Sequence, residues 1–85
     1  MNYNEFEWNL CNRVYTMAVL FPNEYNGVRT LVIQDWNHEV IMIASNKTEN
    51  IIRVSFADHQ EVYESYDDAY KGILQHRMGQ LFHNT

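Results

Sequence analysis

Apolar and polar residues alternate with a period near two through the middle of the chain, then shift to a period near 3.6 towards the C-terminus. Val14–Phe21, rich in β-branched and aromatic residues, predicts a first strand. Pro22-Asn23-Glu24-Tyr25-Asn26-Gly27 reads as a loop, because Pro and Asn-Gly punctuate the chain there. Val28–Trp36 predicts a second strand, with Val28, Thr30, Val32 and Gln34 on one face and Leu31 and Ile33 on the other. Apolar residues on both faces suggest a central strand. The chain turns around Trp36-Asn37-His38-Glu39, returns over Val40–Ala44, turns again through the polar run Ser45–Asn50, and forms a fourth strand over Ile51–Phe56. Connections this short make an antiparallel meander the natural topology.

Helical patterns flank this region. Val62, Tyr66, Ala69, Tyr70, Ile73, Leu74 and Leu81 fall on one side of a C-terminal helix. Asp58 with Glu61, and Ser65 with Asp68, are two overlapping capping signals, so the helix starts near residue 59, or a short helix breaks and restarts at 66. At the other end, Asn4 and Glu7 have the spacing of a capping box, and Tyr3, Phe6, Leu10 and Val14 share a stripe, which favours a short helix over residues 5–12. Phe6, Trp8 and Leu10 also alternate with Glu5, Glu7 and Asn9 as a strand would, so residues 4–12 stay open between the two. The fold class expected is α+β: one domain over residues 1–85, an antiparallel meander of about four strands packed by a C-terminal helix, with a short N-terminal helix.

Composition narrows the function. The 85 residues are 46% apolar and 14% aromatic, which describes a folded globule with a modest core. Six basic and eleven acidic side chains give a formal charge of −5. That argues against direct contact with a nucleic-acid backbone or an anionic membrane, and permits a basic protein partner. The single cysteine, Cys11, excludes an internal disulfide, suits a reducing cytoplasm, and is expected to be a small buried or half-buried residue. No signal peptide and no membrane span are expected from the pattern. His38, His59, His76 and His83 are scattered, and Gly27, Gly72 and Gly79 are dispersed. The chain therefore predicts no catalytic residues, no metal site, no phosphate loop and no cofactor. Close packing against the sheet is one reason for a helix to tolerate Gly72.

One stretch remains as candidate chemistry. Asp58–Asp68 holds five of the eleven carboxylates, and no Lys or Arg occurs between Arg53 and Lys71. Acids at a helix start, with His76, Arg77 and His83 near its end, match the helix dipole, and this alone suffices to account for them. They also form a possible binding face: Glu61, Glu64 and Asp68 at helical spacing lie about 5–6 Å apart at their β-carbons, with Asp67 alongside. Asp35 and Glu39 extend this face if their turn packs near the helix start. Trp36, beside those acids, and Tyr63 are candidate anchors for a protein partner.

The layout resembles the small acidic Cas9 inhibitors among the type II-A anti-CRISPR proteins of phages and prophages. The similar residues are Met1-Asn2 with Asn4-Glu5, Tyr15-Thr16, Leu31-Val32-Ile33, Asn37 with Glu39, and Gln60-Glu61 before an acidic helix. A shorter likeness, Leu31-Val32-Ile33-Gln34-Asp35 followed by Asn37 and Glu39, is similar to a strand and turn of phage uracil-DNA glycosylase inhibitors. The resemblance implies a non-enzymatic, DNA-mimicking inhibitor, acting in the bacterial cytoplasm on a host nucleic-acid-binding protein (Cas9 or another DNA-processing enzyme). Carried over by position, it implies that Asp35, Glu39, Glu64, Asp67 and Asp68 meet the partner's Arg and Lys. The chain departs from the family after Asp68, where Lys71, Arg77 and two histidines replace further acids, so the acidic surface is smaller. The alternative is a protein-interaction or immunity-type module that uses an apolar sheet face or forms a homo-oligomer; a homodimer fits either.

Overall fold

The computed structural model describes residues 1–35, 39–46 and 51–83, the last four of these as backbone only. Its elements are α1 (Tyr3–Asn9), continued by a wide π-helical turn over Leu10–Val14, then β1 (Val19–Tyr25), β2 (Val28–Gln34), β3 (Val40–Asn46), β4 (Ile52–Ser55), β5 (Gln60–Tyr63) and α2 (Tyr66–His83). The five strands form one antiparallel sheet in the order β1-β2-β3-β4-β5. The meander and both helices are as the sequence predicts; the fifth strand is additional.

The N-terminal ambiguity resolves to helix. Its cap is Asn2, not Asn4: the Asn2 side chain accepts from the Glu5 amide at 2.9 Å. Phe6 and Leu10 are buried one turn apart, and the Tyr15 amide then donates to the Leu10 carbonyl, five residues back, at 2.7 Å. The wider turn delivers Tyr15 to the buried side. Residues 14–18, expected in the first strand, are spent on ending this helix, so pairing starts only at Val19, opposite Gln34. Cys11, expected to be at least half-buried, is exposed.

The predicted loop over residues 22–27 contracts to two residues. Asn26 and Gly27 take φ of 52° and 77°, the left-handed pair that a two-residue hairpin turn requires. Pro22–Tyr25 are thereby freed to pair with β2. Pro22 is tolerated because β1 is an outer strand, where a missing N–H need not break a ladder.

The core lies between one face of the sheet and the helices. Leu31, Ile33, Ile41, Ile43, Ile52 and Val54 supply the sheet side; Phe6, Leu10, Ala69 and Ile73 supply the helical side. Buried Ser45 accepts a hydrogen bond from Tyr66 Oη at 3.0 Å. The opposite sheet face has no covering element among the described residues.

The largest correction concerns residues 58–65. The Phe56 amide donates to the His59 carbonyl at 2.8 Å, closing a turn, and residues 60–63 pair with β4. Of the two capping signals only the second is used: the Asp68 amide donates to Ser65 Oγ at 3.1 Å. Strand pairing of Val54 with Glu61 and Ile52 with Tyr63 outcompetes an extra turn of helix, because it places Tyr63 against the core.

Candidate functional site

The candidate acids divide into two groups. Asp35 and Glu39 flank the β2–β3 connection and turn inward; their side chains are 4% and 10% exposed. The backbone clips the two residues together, with Asp35 N–H donating to the Glu39 carbonyl and Glu39 N–H donating to Asp35 Oδ1, both at 3.1 Å. Arg77 Nη1 sits 2.5 Å from Asp35 Oδ2 and 3.9 Å from Glu39 Oε2, and His76 Nε2 lies 2.8 Å from Glu39 Oε1. Arg77 also stacks over the Tyr15 ring at 5.0 Å. Asp35 and Glu39 thus pack against the C-terminal half of α2, about 15 Å along the helix axis from its first turn. The expected extension of the acidic face by Asp35 and Glu39 is not what the structure builds. Trp36 lies outside the described residues.

Glu61, Tyr63, Glu64 and Asp68 do come together. They line a cleft of about 830 Å³ between β5 and α2, with Phe56, His59, Lys71, Gly72 and His76 among the other lining residues. They do so from three elements, not one helical stripe: Glu61 and Tyr63 from β5, Glu64 from the connection, Asp68 from α2. Asp67 faces elsewhere, with both carboxylate oxygens on the N-terminal ammonium at 3.0 and 3.1 Å.

Aromatic packing shapes the inner end of this cleft. Phe56 is buried, stacked on His59 at 4.8 Å and against His76 at 4.1 Å between ring centroids. His59 Nδ1 lies 2.6 Å from Asp58 Oδ1, and this hydrogen bond is the main cause that holds the Asp58 carboxyl below its usual range. His59 Nε2 lies 3.5 Å from Glu61 Oε1. Tyr63 leans on α2 where Gly72 stands: a β-carbon at that position would sit 2.0 Å from Tyr63 Oη. Burial, then the Glu61 charge, pushes the Tyr63 phenol up.

Three carboxylates against one lysine make the cleft a cation-attracting concavity, with a tyrosine ring available to stack a guanidinium or ammonium. Among the described residues no three His, Cys, Asp or Glu side chains converge to hold a metal ion. No described helix is long and apolar enough to cross a membrane. Comparison of the chain with protein-family models, curated proteins and solved structures finds no match.

The alternative reading, an apolar sheet face, was offered by the sequence without the residues that form it. Val19, Phe21, Tyr25, Val40, Met42 and Val62 are all exposed, on the sheet face away from the helices. The signal was present in β2, whose apolar residues on both sides match an interior strand equally well whether its second face is covered or bare.

Proposed function

We propose that the protein is a small non-enzymatic inhibitor that binds a basic surface of a protein partner through the cleft between β5 and α2. The observation that carries this is the convergence of Glu61, Glu64 and Asp68 with Tyr63 in one concave site. A cleft of this kind takes single Arg or Lys side chains instead of imitating a long run of phosphates. The fitting partner is a nucleic-acid-binding protein, whose groove displays such side chains; the resemblance to type II-A anti-CRISPR proteins makes Cas9, in the cytoplasm of a bacterial host, the first target to test. Asp67, held on the N-terminal ammonium, does not line this cleft, and Asp35 and Glu39 serve the fold.

The test is inhibition of DNA binding and cleavage by purified Cas9–guide complexes, comparing the natural chain with a Glu61→Gln, Glu64→Gln, Asp68→Asn variant. Inhibition that weakens steeply with salt and is lost in the variant supports the proposal. Inhibition that survives the triple change rejects the cleft; no inhibition rejects Cas9, and the same pair of proteins then serves as bait and control for other partners.

The bare apolar sheet face favours a second reading, an interaction or immunity-type module that docks through β1–β3.

A further inference from the structure

The open sheet face is built as an interface. The strand register sets its rows: Val19, Gln34 and Val40; Phe21, Val32, Met42, Ser55 and Gln60; Asn23, Thr30, Ala44, Arg53 and Val62; Tyr25, Val28 and Asn46. The first two rows carry a continuous apolar band across β1, β2 and β3. Phe21 and Met42 are 53% and 47% exposed on either side of half-buried Val32. An apolar patch of roughly 500 Å² has the size of the largest patch on a typical monomer, about 300–600 Å², which is often a binding surface.

We infer that this face is covered by a second copy of the chain, giving a two-fold symmetric sandwich in which the β1–β3 bands of two sheets pack on each other. The inference rests on the apolar-face reading above and names its occupant. Area supports it. Five large apolar side chains of β1 and β3 (Val19, Phe21, Tyr25, Val40 and Met42), between 44% and 75% exposed, leave roughly 100 Å² apiece, so two copies would remove on the order of 1,000 Å² of apolar surface from water, the level a specific interface must clear. Charge supports it too. Among the described residues of this face Arg53 is the only charged one, although the chain carries −5. The acids among the described residues lie on the helical side, at the β4–β5 turn or at the sheet margins, so two like-charged copies can meet with these carboxylates held apart. The same distribution disfavours an anionic membrane, to which the face offers one cation on an acidic body. Edge-to-edge growth is hindered on the β1 side by Pro22 and on the other side by the shortness of β5, four residues, which favours face-to-face packing, aligned and about 10 Å between sheets, for self-association.

The experiment is sedimentation velocity on the full chain across the micromolar range, with Phe21→Glu and Met42→Glu as interface variants and Gln75→Glu, on α2, as the control. The natural chain and the control are expected to sediment as dimers, little affected by salt. Each interface variant is expected to weaken association at least about tenfold while keeping its circular dichroism, since both residues are exposed in the monomer. A natural chain that stays monomeric throughout overturns the inference, as does a dimer that survives both glutamates. If the chain is monomeric yet Met42→Glu abolishes capture of a different protein, the apolar-face reading stands and the second copy does not. If neither is seen, both fail.

Discussion

Arg77 Nη1 lies 2.5 Å from Asp35 Oδ2, joining the end of β2 to the C-terminal half of α2 across 42 residues of sequence. The Asp35 side chain is 4% exposed and that of Arg77 21% exposed, so this pair is largely removed from water. A buried pair of this kind adds little over an apolar pair of the same shape, but losing one member leaves the other's charge poorly compensated away from water. Arg77→Leu is therefore expected to cost about 3–5 kcal/mol in urea unfolding, and Asp35→Leu a similar amount. The double variant is expected to recover most of the loss. Additive losses would show that the two side chains act independently.

Tyr63 and Gly72 form a second long-range dependence. Glycine inside a helix costs about 1 kcal/mol relative to alanine, yet a β-carbon at residue 72 would collide with the Tyr63 ring. Gly72→Ala should consequently fail to stabilise the protein, because Tyr63 must leave the core edge where it packs. In a Tyr63→Ala background the collision is gone, and Gly72→Ala should then stabilise by about 1 kcal/mol. A gain of equal size in both backgrounds would refute the contact.

These two relationships show what the sequence could and could not disclose. Strands β2, β3 and β4 were legible because their alternation matches a half-buried sheet, and α2 because its apolar stripe is long. Strand β5 was not: Gln60–Tyr63 carries capping chemistry and acids that suit a helix start, and only pairing with β4 decides against it. Acid identity was legible, whereas acid partnership was not. Asp35 and Glu39 resemble Glu64 and Asp68 in sequence, but Arg77 and His76 reach the first two across the fold. Gly72 was noticed as a helix interior glycine packed close to the sheet; that Tyr63 was the neighbour depended on β5.

The division of the acids predicts where charge matters for stability. Glu61 and Glu64 are exposed and belong to no buried network, so Glu61→Gln and Glu64→Gln should change stability by no more than about 0.5 kcal/mol. Asp67 and Asp68 stand in the first turn of α2, and their neutralisation should cost roughly 0.3–1 kcal/mol each through the helix dipole. Asp67→Asn also forfeits the exposed pair with the terminal ammonium, itself worth less than about 1 kcal/mol. Thermal melts at low and high salt separate these terms. A loss of several kcal/mol at Glu61 or Glu64 would mean that the cleft acids are structural.

Tyr15 sets the response to alkali. Its ring is buried, its hydroxyl has no hydrogen-bond partner among the described residues, and burial, followed by the Glu39 charge, pushes its phenol far up. Tyr3 is pushed up to about 12, chiefly by burial, and Tyr63 also rises. An unfolded chain releases these protons near pH 10, while the native chain retains them. Above that pH the native state holds more protons than the unfolded state, so stability, fully present below pH 10, falls as pH rises towards and beyond 12. Tyr15→Phe removes the phenol pushed up furthest together with its unpartnered hydroxyl, so it should gain about 1 kcal/mol at neutral pH and unfold at higher pH than the natural chain. Phenolate absorbance measured alongside circular dichroism checks this: the late-titrating tyrosines should ionise together with the loss of structure. Ionisation of every tyrosine near pH 10 with the fold intact would contradict it.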